Sequence, residues 1–76
     1  MFALMRIDKE YKEDVVKIMQ RNGLKVFTDA RNNNVWVTLL KQVIIEDDYI
    51  TLFDIYDHSD YIAKSFIEVI EVRTGD

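Results

Sequence analysis

The architecture turns on residues 57–71, Asp57-His58-Ser59-Asp60-Tyr61-Ile62-Ala63-Lys64-Ser65-Phe66-Ile67-Glu68-Val69-Ile70-Glu71. Ile62, Phe66, Val69 and Ile70 recur at spacings of four, three and one, the stripe of an amphipathic helix. Asp57 or Ser59 can cap its N-terminus, and Asp60 lies three residues after Asp57 in a capping-box-like arrangement. The pattern predicts a helix over residues 58–71, with Arg73-Thr74-Gly75-Asp76 as a frayed tail.

Upstream, Tyr49 to Tyr56 is dense in strong β formers and reads as the clearest strand. Glu46-Asp47-Asp48 makes the turn before it. Leu40 to Ile45 reads two ways: as loop, or as a continuation of the preceding strand that puts Val35, Val37, Leu39, Val43 and Ile45 on one face. Leu24–Thr28 and Val35–Leu39 form an antiparallel hairpin around the turn Asp29-Ala30-Arg31-Asn32-Asn33-Asn34, because asparagine tolerates positive φ and bonds its own backbone. A helix is expected over 8–22. Asp8 caps it, Tyr11, Val15, Ile18 and Met19 supply its apolar stripe, and Asn22-Gly23 stops it. Phe2 to Ile7 is a short apolar first strand.

The resulting order is β-α-β-β-β-α. It implies a small two-layer α+β domain spanning residues 1–76, an antiparallel sheet with two helices on one face. The expected core is Val15, Ile18, Met19, Val37, Leu39, Phe53, Ile62, Phe66 and Ile70.

With 76 residues, the chain has room for one small core. It is 49% hydrophobic and 32% charged, a globular balance. The absence of cysteine excludes disulfide frameworks, thiolate metal sites and cysteine nucleophiles, and favours a cytoplasmic setting over a secreted one. No apolar run reaches transmembrane length, and the N-terminal stretch lacks the basic region of a signal peptide. Gly23 and Gly75 are too far apart to form a phosphate-cradling loop, and no serine sits in a nucleophile-elbow context. No cofactor motif is present.

Charge is uneven. Residues 1–45 carry eight Lys/Arg and five acids, whereas residues 46–76 carry two Lys/Arg and nine acids. Residues 46–60 alone hold six acids and no Lys or Arg. An acidic face of this kind attracts a basic partner and repels nucleic acid and anionic membranes; it also simply keeps a small domain soluble.

Asp54, Asp57, His58 and Asp60 place three carboxylates and an imidazole within seven residues, donors that suit a divalent cation. The spacing matches no calcium loop, and helix capping accounts for Asp57 and Asp60 without a metal. Catalysis by His58 with an Asp is the weaker alternative in so short a chain. Trp36, Tyr49, Phe53, Tyr56 and Tyr61 read as sheet packing first and as protein-facing anchors second, because carboxylates crowd them and no basic-aromatic run accompanies them. Of the basic set Lys9, Lys12, Lys17, Arg21, Lys25 and Arg31, the lysines at 9, 12 and 17 lie on the first helix among Glu10, Glu13 and Asp14, and Glu13 to Lys17 is a favourable i,i+4 pair.

The expectation is a non-enzymatic acidic module that binds another protein through Asp47, Asp48, Tyr49, Asp54, Tyr56, Asp57 and Tyr61, without cofactor, metal, membrane or direct nucleic-acid contact. Its concrete form is an inhibitor blocking the basic groove of a nucleic-acid-binding protein. The chain is similar in size and acidity, though in no motif, to the small anti-defence proteins of phages and mobile elements, anti-CRISPR proteins among them. The alternatives are a homodimer or other homo-oligomeric module, and a metal-dependent site at Asp54, Asp57, His58 and Asp60.

Overall fold

A computed structural model describes residues 1–28 and 31–74. Asp29 and Ala30 of the expected turn, and Gly75 and Asp76 of the expected tail, lie outside the described residues. Strand β1 is Phe2–Ile7, followed by a 3-10 turn at Lys9–Tyr11 and helix α1 at Lys12–Arg21. Six strands follow: β2 (Lys25–Thr28), β3 (Asn34–Thr38), β4 (Leu40–Ile45), β5 (Tyr49–Asp54), β6 (Ser59–Ala63) and β7 (Ile67–Arg73). They form two antiparallel sheets, one ordered β2-β3-β1-β7 and the other β4-β5-β6. The chain is a small α+β domain with one α-helix among the described residues.

The N-terminal expectations hold in outline. Phe2–Ile7 is a strand, and β2 and β3 pair antiparallel as the expected hairpin strands. The Asp8 carboxylate accepts the Glu10 N–H at 3.0 Å, so the cap serves the 3-10 turn that precedes α1. At the other end Gly23 takes φ +100°, where a side chain is disfavoured. Gly23 N–H donates to the Gln20 carbonyl and Leu24 N–H to that of Met19, the paired bonds of a Schellman stop. Buried Leu24 then packs with Met19 in the core.

The core joins both sheets and the helix. Ala3, Met5 and Ile7 of β1, Val35 and Val37 of β3, and Ile67 of β7 face inward from the first sheet. Ile50, Leu52 and Ile62 do so from the second, and Val15 and Met19 from α1, all in one cluster. Each fully buried Leu, Ile or Met side chain contributes about 1.5–3 kcal/mol.

The second half departs from expectation. Residues 58–71 are not a helix but the strands β6 and β7, joined by the turn Lys64–Phe66. Asp57 is no helix cap; it sits at φ +68° in the turn between β5 and β6. Residues 40–45 are a strand, yet not an extension of β3, because Leu39 takes φ +62° and turns the chain from one sheet into the other. That corner is held by Leu40 N–H donating to Met1 O and Ile55 N–H donating to Leu39 O.

The expected core is corrected accordingly. Val15, Met19, Val37 and Ile62 are buried, while Leu39, Ile18 and Ile70 are exposed and Phe53 and Phe66 only half-buried. Ile70 is the extra residue of a β-bulge, since Leu4 pairs with Glu71 and Met5 with Val69.

Candidate functional site

The acids and aromatics singled out in the sequence fall into three places. The first is the buried carboxylate Asp54, 1% exposed at the end of β5. Its Oδ1 accepts the N–H groups of Tyr56 (2.8 Å) and His58 (3.0 Å), closing the turn over residues 55–58. Its Oδ2 lies 3.1 Å from His58 Nδ1, which is also 3.0 Å from the Asn22 carbonyl oxygen. Both neighbours of Nδ1 are acceptors, so that nitrogen carries the proton and Nε2 is left toward solvent. Asn22 in turn donates through Nδ2 to Asp60 Oδ1.

These bonds tie the C-terminal end of α1 to the β5–β6 turn. Gly23 is part of the same joint: a Cβ there would come within 2.8 Å of the Tyr56 ring and 3.1 Å of Asp54 Oδ2. The ionisations follow from the geometry. Burial pushes the Asp54 carboxyl up, but the N–H of His58, its ring and the N–H of Tyr56 together bring it below its ordinary 3.8. The Asp54 hydrogen bond, the Asn22 carbonyl and the Asp54 charge raise His58 above its ordinary 6.5. Burial raises Asp60, against the opposing bond from Asn22.

The dyad orients an imidazole, as acid–base sites do, but none of the described residues hydrogen-bonds His58 Nε2. Asp57 turns away and pairs with Lys41 at 2.6 Å. Asp54 spends both oxygens on Tyr56 and His58, and Asp60 gives Oδ1 to Asn22. Among the described residues no three His, Cys, Asp or Glu gather as a metal-holding group.

The second place is the outer face of β5 and β6. Alternation along β5 turns Ile50, Leu52 and Asp54 inward and puts Tyr49, Thr51 and Phe53 on the other face, where Thr51, on the central strand, is itself covered. Thr51 pairs with Tyr61, whose ring meets that of Tyr49 edge-on at 5.8 Å between centroids. Tyr49 is 42% and Tyr61 69% exposed. The tight turn before β5, closed by Glu46 N–H donating to Tyr49 O, presents Asp47 and Asp48 beside this pair. Tyr56, exposed, and Asp57 lie at the opposite end of β5. The structure thus unites Asp47, Asp48, Tyr49 and Tyr61, separates Tyr56 and Asp57 from them, and withdraws Asp54 from any partner's reach.

The third place was only half visible in the sequence, which offered Trp36 as an anchor but not its partner Phe27. Phe27 and Trp36 are cross-strand partners on the outer face of the first sheet, beside Leu4 and with Phe2 at 5.6 Å from Trp36. They line a shallow hollow of about 290 Å³ with Asn32 and Asn34. The Lys25 ammonium lies 5.3 Å from the Phe27 ring centre and the Arg73 guanidinium 5.7 Å from that of Trp36. The signal was the alternation of Phe27 with the inward-facing Val26, and of Trp36 with Val35 and Val37. The lysines of α1 lie elsewhere. The Glu13–Lys17 pair forms at 3.2 Å, and Lys12 donates to the Asn32 carbonyl.

No helix among the described residues is long and apolar enough to cross a membrane. No protein-family model matches this chain, no curated protein matches it, and no solved structure matches it.

Proposed function

We propose that this chain acts by binding, not by catalysis, and that it docks on a basic surface of another protein through the outer face of β5 and β6. The observation that carries the reading is the exposed Tyr49–Tyr61 pair beside the Asp47–Asp48 turn. Amphipathic rings at the centre of a patch and acids at its rim are the parts of a protein-binding hot spot. The rings hold the complex together, and the carboxylates steer a basic partner in. The concrete form is an inhibitor in the cytoplasm that occupies the groove of a nucleic-acid-binding protein, as small anti-defence proteins of phages and mobile elements do. Such a groove is basic because it must hold phosphates.

Affinity capture of the partner, followed by surface-based binding kinetics at two salt concentrations, tests this. Neutralising Asp47 and Asp48 to Asn is expected to lower the association rate and flatten its salt dependence. Tyr49→Ala or Tyr61→Ala is expected to raise the dissociation rate about tenfold or more. Kinetics unchanged in all of these variants, with normal melts, would send the search to the surface around Lys9, Lys12 and Arg31.

A second reading, self-association, is favoured by Phe27, 50% exposed beside Trp36 on the other outer sheet face. A second copy would cover these rings. Sedimentation is then expected to give a concentration-dependent dimer that Phe27→Asp abolishes; a monomer at every concentration rejects it.

A further inference from the structure

A groove of about 240 Å³ runs between α1 and β6, an edge strand of the second sheet. Its walls are aromatic. Tyr11 and Phe66 meet at 4.5 Å between ring centres on one side, and Tyr61 stands on the other. Ile18, exposed on the helix, and Ile62, buried at the floor, complete the apolar lining. Among the described residues Asp14 is the one charged side chain that lines it. No lysine or arginine does; Lys9, Lys12 and Lys17 line a different hollow on α1.

The groove is smaller than the about 300–1,000 Å³ of a site for a drug-sized ligand. It has room for one long side chain. Its chemistry is that of a cation with a hydrocarbon stem: apolar walls for methylene groups, ring faces for a cation, and a carboxylate for hydrogen bonds. A carboxylate beside aromatic rings favours arginine over lysine, because the planar guanidinium stacks on rings and bonds a carboxylate through two N–H groups at once. Tyr61 belongs both to this groove and to the exposed pair with Tyr49. The groove is therefore continuous with the face assigned to partner binding.

We propose that the α1–β6 groove is the socket for a single arginine side chain of the basic protein partner, its stem against Ile18, Tyr11 and Phe66 and its guanidinium between the Tyr61 ring and the Asp14 carboxylate. This rests on the reading that the β5–β6 face meets a basic protein, and it names the residue type of that protein which anchors there.

The test uses the full chain and three blocked glycine–serine peptides, carrying arginine, lysine or citrulline at the same position, in a chemical-shift titration. The arginine peptide is expected to shift the amide or ring signals of Tyr11, Asp14, Ile18, Tyr61 and Phe66 in a saturable way. Lysine should bind several-fold more weakly, and citrulline, isosteric but neutral, about tenfold or more weakly. Asp14→Asn should weaken the arginine peptide about tenfold. Tyr61→Ala should do the same, while Tyr61→Phe, which keeps the ring, should not. Equal shifts from arginine and citrulline, shifts confined to Asp47 and Asp48, or no shifts at millimolar peptide each overturn the socket. The peptide assay does not involve the captured partner, so the two readings can fail separately. Peptide binding with partner kinetics indifferent to Tyr49 and Asp47 removes the parent reading alone, and the converse removes the socket alone.

Discussion

Leu52→Ala is expected to cost about 3–5 kcal/mol of unfolding free energy. A chain of this length has about 4–11 kcal/mol in total, so much of the variant should be unfolded at room temperature. Leu52 is wholly inaccessible on the central strand of the second sheet, in a cluster that includes Ile50 and Ile62 from that sheet and residues of β1 and α1. Removing it leaves a cavity that a two-sheet core cannot readily close. Phe66→Ala is the informative companion. On a helix packed against the sheet, Phe66 would be core, and its loss would match that of Leu52. In the β6–β7 turn it is half-buried and stacks on Tyr11, so about 1–2 kcal/mol is expected. Urea unfolding of both variants decides. A Leu52→Ala change under about 1 kcal/mol, or a Phe66→Ala change as large as that of Leu52→Ala, would contradict the two-sheet arrangement.

The first 38 residues were legible because their local signals agree with one another. Asp8 accepts a backbone N–H, Asn22-Gly23 stops the helix, and the Val-Phe-Thr and Val-Trp-Val runs flank an Asn-rich turn. The last third was not, for two reasons. Its turn at Lys64-Ser65-Phe66 contains no Gly, Pro or Asn, so nothing interrupts the helical reading. Its register is also obscured by the bulge at Ile70, which breaks the inward alternation of Ile67 and Val69. The β-branched content of Ile67, Val69, Ile70 and Val72 was the available counter-signal.

The candidate site was half legible for a related reason. Asp54 was assigned to the surface with the other carboxylates, and Phe53 to the core. On a strand these are one decision, because neighbouring residues face opposite ways. Asp54 lies inside, and with it Ile50 and Leu52, so Phe53, Thr51 and Tyr49 are on the other face. What allows a carboxylate inside is its set of donors, and those come from the turn at 55–58. The Tyr49–Tyr61 pair follows from the same inversion. The groove along Asp14 required knowing that β6 is a strand edge against α1, which no residue pattern announces.

Asp54 should also set the pH dependence of stability. Its carboxyl is held below its ordinary value, so its ionised form stabilises the fold above pH 3.8, and that stabilisation is lost as pH falls through the lowered folded value. His58 is raised, so its contribution is complete below 6.5 and is lost as pH rises through the raised folded value. Asp60, raised by burial, acts in the opposite sense to Asp54: the folded state resists its ionisation, which subtracts stability as pH rises from 3.8 through the raised value. The three together predict a maximum melting temperature on the acidic side of neutrality, toward the lower end of the range between 3.8 and 6.5, with a further decline above 6.5. Asp54→Ala leaves the part-buried N–H groups of Tyr56 and His58 without their acceptor and frees the His58 ring from β5. A fall of about 10 °C or more in Tm is expected, and with it a shallower decline above pH 6.5, since His58 keeps the Asn22 carbonyl but loses its carboxylate. His58→Ala should flatten that upper limb alone, with a smaller fall in Tm, because Asp54 keeps both backbone donors. Melts of the parent and the two variants at half-unit pH steps measure this. An upper limb that survives in His58→Ala would assign the pH dependence to other groups and reduce the dyad to a turn closure.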